Sequence, residues 1–338
     1  MSHTSQGVTI WLVIVCVVIV AMIGVGGATR LTQSGLSMVD WKPISGIVPP
    51  LNQEQWMEEF ETYKQFPEYQ KINRGMSLDE FKTIFYWEYG HRVLGRTIGI
   101  IFLVPFVAFW AMGKLGRDLV PWLIGALVLG GLQGLMGWYM VKSGLVDMPR
   151  VSHFRLAAHL SLAMLILCYL YWLLLSINGV RRYTTTDALR YGAWAVLGLL
   201  TLQIVYGAFV AGLDAGLGFN TWPMMDDSFM APVAAAMQPF WMNFIENGAM
   251  IQFVHRWMGM ALMMAVTGYL VLVFMQGETL LRRASLVLLA ATFVQFCLGV
   301  LTLINYVPVG LGVAHQVFAC VVLLAAVTNC YLVGGRAT

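Results

Sequence analysis

The sequence predicts an all-α integral membrane protein, with eight transmembrane helices arranged as two repeated four-helix bundles. Three observations carry that expectation. The 338 residues are 59% hydrophobic and only 11% charged, with a mean hydropathy of +0.73, a balance that excludes an ordinary soluble domain. Eight runs reach the roughly 20 apolar residues that cross a bilayer. The second half of the chain also repeats landmarks of the first, in the same order.

The runs cover about 8–28, 92–113, 119–141, 155–178, 191–212, 251–275, 284–306 and 310–333. Span 1 follows a short polar segment with neither an arginine-rich presequence nor a small-residue cleavage site, so it is expected to be retained. Lysine and arginine in short loops set the orientation. Lys114 and Arg117 follow span 2; Arg181, Arg182 and Arg190 follow span 4; Arg282 and Arg283 follow span 6; Arg336 lies in the tail. The links between spans 5 and 6 and between spans 7 and 8 have neither residue. The loop between spans 3 and 4 is the exception, with Lys142, Arg150 and Arg155. The balance puts both termini in the cytoplasm and suits a bacterial inner membrane. With the bases placed by this rule, the net charge of +3 gives no reason to expect nucleic acid as a partner. The five cysteines (Cys16, Cys168, Cys297, Cys320, Cys330) all fall within spans, which fits small apolar packing rather than a loop disulfide.

The internal repeat divides the chain at about residue 180. Gly27-Ala28 closes span 1 and Gly207-Ala208 closes span 5; each is followed by a Gly-Leu pair and a Trp near a Pro (Trp41 and Pro43, Trp222 and Pro223). His91-Arg92 opens span 2 and His255-Arg256 opens span 6; Ala158-His159 in span 4 matches Ala314-His315 in span 8. A Gln-x-x-x-Gly step recurs at Gln133/Gly137, Gln203/Gly207 and Gln295/Gly299. Residues four apart share a helix face; the small residue allows close helix approach and the amide can hydrogen-bond across the interface, and the step reads first as helix packing. Residues 1–180 therefore form one predicted bundle and 181–338 the other, as parallel repeats. The main departure is the long outer loop 29–90. It has an amphipathic stretch near 53–65, with Trp56, Phe60 and Tyr63 at helical spacing, and a capping box from Ser77 to Glu80 that leads toward span 2 through Phe81 and Phe85. This loop is either a lid over the N-terminal bundle or a surface decoration.

Four histidines carry the chemistry: His91, His159, His255 and His315. Each lies near the outer start of an even-numbered span, with separations of 68 and 60 residues within the pairs. An imidazole inside a membrane is costly unless something uses it, and it is a common iron ligand. Two pairs on separate helices, one per half, point to two buried hemes. These spans lack the extra carboxylates that a di-iron site needs, and no cysteine pairs with these histidines as a zinc site often would; copper stays open. His153 has no counterpart in the second half and reads as an interfacial residue, and His3 as a tail residue.

Glu88 lies one turn before His91, whereas the second half has Gln252 three residues before His255. A carboxyl can carry a proton or stabilise a developing cation; an amide does neither in that way. The N-terminal site thus reads as reactive and the C-terminal one as the seat of a permanent cofactor. The alternative is that Glu88 only pairs with Arg92 or Arg96. Arg92 and Arg256, each next to a histidine, suit heme propionates or the anchoring of helix ends.

These residues, together with Gly26-Gly27-Ala28-Thr29-Arg30-Leu31-Thr32, Ser34-Gly35-Leu36-Ser37, Trp41-Lys42-Pro43, Glu88-Tyr89-Gly90-His91-Arg92, Ala211-Gly212-Leu213-Asp214-Ala215-Gly216 and Asn220-Thr221-Trp222-Pro223-Met224, resemble heme A synthases of the branch shared by mitochondria and proteobacteria. The resemblance runs from about residue 10 to 333. It implies oxidation of the C8 methyl of heme O to a formyl group, giving heme A for terminal oxidases. It implies heme b on His255 and His315, the substrate heme on His91 and His159, and Glu88 as the essential carboxylate. Heme O synthase, an electron donor and oxidase assembly factors are partners by the same implication. Some bacterial members have cysteine pairs in their outer loops; this chain has none there. Two competing readings of the four histidines are a diheme b-type electron-transfer cytochrome and a heme transporter or chaperone. The Glu88/Gln252 asymmetry favours the enzyme.

Overall fold

The computed structural model describes residues 5–39, 47–144 and 150–335. His3, Trp41, Pro43 and Arg336, singled out above, lie outside these ranges. Lipid offers the backbone no hydrogen-bond partners, so each span closes its own bonds as a helix. Eight helices are long and apolar enough to cross a membrane. They are α1 (Gln6–Leu31), α4 (Leu78–Ala111), α5 (Val120–Gly144), α6 (His153–Ile177), α7 (Asp187–Gly212), α9 (Gly248–Gln276), α10 (Thr279–Ile304) and α11 (Val309–Leu332). Shorter helices α2 (Gln53–Tyr63), α3 (Pro67–Lys71) and α8 (Asn243–Glu246) lie in the outer connections. The protein is a multi-pass membrane protein with no strand among the described residues.

The expected span edges hold within a few residues except at the second span. Helix α4 starts at Leu78, well before the hydropathy rises. The Ser77 hydroxyl accepts from the Glu80 amide, and the Glu80 carboxylate accepts from the Ser77 amide at 2.8 Å. From that cap the helix runs 34 residues without a break, about 51 Å at 1.5 Å per residue, against a hydrocarbon core of about 30 Å. Asp79, Glu80, Lys82, Glu88 and Arg92 lower the hydropathy of its outer part without interrupting the helix. His91 therefore lies more than three turns inside α4 rather than near its start.

The first four spans form a ring: α1 packs on α4 and α6, and α5 also packs on α4 and α6. The second four repeat this pattern, with α7 and α10 each between α9 and α11. The rings meet where α1 and α6 face α11 and α7. Across that seam runs one continuous apolar core, which includes the buried Val8, Leu12, Leu167, Leu170, Val196 and Leu323. Its closeness depends on two glycines of α1. A Cβ on Gly24 would come within 2.9 Å of Val317, and one on Gly27 within 2.7 Å of Gln316. The Gln316 amide then donates to the Ile23 carbonyl at 2.9 Å. The five cysteines are free thiols.

Above the first ring, α2 lies on the protruding part of α4. Trp56, Phe60 and Tyr63 are buried against Phe81 and Phe85, with Phe81 stacked on Phe60 and Tyr63 at ring separations of 5.0 and 5.1 Å. The outer loop is thus a folded cap with its own aromatic core. Within it Glu68 is buried and accepts from the Tyr63 hydroxyl at 3.0 Å; burial pushes its carboxyl up to about 8. Arg30 and Arg150 both pair with Asp214, at 2.9 and 3.3 Å, which joins the first half of the chain to the second. His153, at the start of α6, is buried within the protein, and its Nε2 lies 2.7 Å from the Ile245 carbonyl. A Cβ on Gly212 would meet its side chain at 2.4 Å. The ring clasps α6 to α7 and to the segment before α9.

Candidate functional site

In each ring the two histidines project from opposite helices, α4 and α6 in the first, α9 and α11 in the second. Each imidazole edge rests on a glycine of an intervening helix. A Cβ built on Gly26 would lie 3.0 Å from Cε1 of His91; the values are 3.2 Å for Gly137 and His159, 3.0 Å for Gly207 and His255, and 2.9 Å for Gly299 and His315. All of these are shorter than the roughly 3.5–4.0 Å of an unstrained carbon contact. The glycine of the Gln-x-x-x-Gly step therefore leaves room for a ring, which the sequence reading as helix packing had missed.

The glutamine of the same step has a separate role. Gln133, Gln203 and Gln295 donate their side-chain amides to the main-chain carbonyls of His159, His255 and His315 at 3.1, 3.0 and 2.9 Å. These are interhelical amide bonds, which the recurring step allows; that each ends on the carbonyl of a histidine only the fold reveals.

The His255 and His315 rings are 6.5 Å apart and nearly perpendicular, at 83°. One metal ion bonded at about 2 Å to a nitrogen of each ring would require a separation of this size. His91 and His159 stand on the corresponding helices of the first ring, α4 and α6. Nδ1 of all four histidines is buried without a hydrogen-bond partner, a costly state for a polar atom. Two facing imidazoles suit a metal carried in a macrocycle that supplies its other ligands. The donor set and the glycine clearances fit heme in both rings.

Glu88 and Gln252 occupy equivalent places but face opposite chemistry. Glu88 is 2% exposed. One carboxylate oxygen accepts from the Ser37 hydroxyl and the Met38 amide, both at 2.8 Å, and the other from Arg92 at 2.5 Å. Gln252 donates to the Ala215 and Gly218 carbonyls at 3.0 and 2.7 Å and accepts from Arg256 at 3.2 Å. The first loop presents donors and requires an acceptor; the second presents acceptors and requires a donor. The Arg92 pairing weighed in the sequence is therefore present, with two further bonds.

Both arginines also hold loop backbone. Arg92 donates to the Met38 carbonyl at 2.7 Å. Arg256 donates to Thr221 and Met224 carbonyls at 2.8 and 3.0 Å and to that of Phe219, a residue held at a left-handed φ of 53°. Nε of Arg256 remains buried without a partner. Neither arginine is at a helix end; these bonds tie loop backbone to the interior turns of α4 and α9.

Fold and site together define a polytopic helical membrane protein with two paired-histidine centres, one in each half. Residues 9–327 match the family model described as cytochrome oxidase assembly protein. The chain is 47% identical over 317 residues to the heme A synthase of Parvibaculum lavamentivorans, covering 94% of this chain and 91% of that protein. It is 45% identical to the heme A synthases of Rhodospirillum centenum, covering 93% and 85%, and Azorhizobium caulinodans, covering 97% and 94%. The chain belongs to the cytochrome oxidase assembly protein family.

Proposed function

We propose that the protein is a heme A synthase that holds two hemes in two unlike seats. It is an oxidoreductase that converts heme O to heme A, turning the C8 methyl into a formyl group. The C-terminal half, 181–338, keeps heme b on His255 and His315. The N-terminal half, 1–180, takes heme O on His91 and His159. Bound heme supplies the redox chemistry that no side chain provides.

The protein's own residues orient and stabilise. The four histidines fix the depth of each seat. Glu88 holds a buried negative charge one turn from His91, where positive charge developing on the substrate is stabilised. Arg92 keeps that carboxylate in place and ties the Ser37–Met38 loop over it. Arg92 and Arg256 are also the candidate propionate partners, with Nε of Arg256 available for that bond. The observation that carries this reading is the acceptor-only carboxylate at Glu88 where the otherwise repeated frame has Gln252.

The protein resides in a bacterial inner membrane with both termini in the cytoplasm, in keeping with the loop charges. Heme O synthase, an electron donor and oxidase assembly factors are its partners. The test is to purify the protein from cells that also make heme O, extract its hemes, and identify them by chromatography and mass. Heme b together with heme O and formyl-bearing heme A is expected. Heme b alone at two per chain, with no turnover of added heme O, would assign the four histidines to an electron-transfer cytochrome.

A further inference from the structure

Three of the four histidines are tethered by a glutamine, and the fourth is not. The place corresponding to Gln133, Gln203 and Gln295, four residues before the histidine's glycine, is Met22 in α1. Contacts on the facing helix support the equivalence. The Gln203 amide lies 3.3 Å from a Cβ built on Gly259, four residues after His255; the Met22 methyl lies 3.4 Å from one built on Gly95, four residues after His91. Met22 thus fills the space of Gln203 with a thioether, which has no hydrogen to donate.

The amide matters because of where it points. It donates to the carbonyl of the histidine itself, from a neighbouring helix, and so fixes the height and rotation of the helix that carries the ring. For His159 and His315 it also lies 3.3 and 3.5 Å from Nε2. In the C-terminal ring both histidines are tied this way. In the N-terminal ring only His159 is.

We propose that Gln133, Gln203 and Gln295 are positioning residues for the histidines they touch, and that Met22 leaves His91 as the exchangeable ligand. The inference rests on the reading of the four histidines as heme ligands. A seat that must accept one heme and pass on another needs a ligand that lets go; a permanent seat does not. The difference between the two seats then lies partly in α1, outside the histidines and Glu88.

The test uses the full-length purified protein with its hemes bound. Gln203→Met and Gln295→Met place in the second ring the residue that α1 already accommodates in the first, and Met22→Gln does the reverse. Heme transfer to excess apomyoglobin gives the release rate, and the ferric low-spin electron paramagnetic resonance signal reports ligand orientation. Each Gln→Met variant is expected to lose heme b about tenfold faster, the worth of one net hydrogen bond, with a shifted low-spin signal. Met22→Gln is expected to slow heme O release about tenfold and leave heme b release unchanged. Wild-type rates and spectra in both Gln→Met variants would overturn the positioning role. Unchanged heme O release in Met22→Gln would overturn the role of Met22. His255→Ala and His315→Ala, measured alongside, separate the two levels: full retention of low-spin heme b in both would remove the ligand assignment itself.

Discussion

Replacing Glu88 by Gln is expected to disrupt the outer end of the first ring as well as its chemistry. The carboxylate accepts three hydrogen bonds, from Ser37, Met38 and Arg92, and the side chains of Arg92 and Glu88 are only 7% and 3% exposed. An amide of the same shape must aim its N–H₂ at Arg92 or at the Met38 N–H, so a donor meets a donor either way. The guanidinium also loses its counter-charge. Breaking a buried ion pair on one side costs about 3–5 kcal/mol, and the lower end corresponds to roughly a hundredfold in an opening equilibrium. The assay is hydrogen exchange at the Met38 amide, read by mass spectrometry on a peptide from residues 34–39, together with heme A yield. Met38 exchange is expected to quicken by about that hundredfold and heme A formation to stop, while heme b stays bound. The reciprocal change, Gln252→Glu, sets a carboxylate against two carbonyls and is expected to loosen the 215–218 turn. Unchanged Met38 protection in Glu88→Gln would refute the polarity argument, and a normal heme A yield would remove Glu88 from the reaction.

Other expectations follow from the same geometry. His255→Ala or His315→Ala should abolish the low-spin heme b absorption; its full retention in both would place the cofactor elsewhere. Gly299→Ala puts a methyl 2.9 Å from the His315 ring, and Gly137→Ala one 3.2 Å from His159, so the first should displace its ring more. A wild-type heme b spectrum in Gly299→Ala would show that the glycine clearance is not needed. Glu68 binds its proton more tightly in the folded cap than the ordinary value of 4.5 allows, up to about 8. The cap should therefore be most stable below about 4.5 and lose stability as pH rises through 8. Limited proteolysis of residues 47–77 below and above that window should show this, and Glu68→Gln should flatten it.

Hydropathy and spacing made the eight helices legible, because a membrane leaves the backbone few alternatives. The relation of Glu88 to His91 was legible too, since one helical turn is a local fact. The extension of α4 was not: its outer residues are polar, and hydropathy reports the lipid boundary rather than the end of a helix. The partners of Arg92 and Arg256 were hidden for another reason. Met38 and Phe219 lie 54 and 37 residues away along the chain, and no local pattern encodes a carbonyl's direction. The Gln-x-x-x-Gly step was visible, but its meaning depended on which helix it faces. His153 was read as interfacial because a helix start near a membrane boundary is the usual place for an unrepeated histidine; its carbonyl partner lies across the fold at Ile245.

Because Phe81 and His91 belong to one unbroken helix, the aromatic cap and the buried imidazole turn on a common axle. Ten residues separate them, about 15 Å along the axis, and Glu88 sits between. A protein that gripped the exposed face of α2 at Met57 would load, through the buried Trp56 and Phe60, the helix that carries the imidazole. A load on the cap is thus carried to the depth of His91 along one rod, without any wider rearrangement of the bundle.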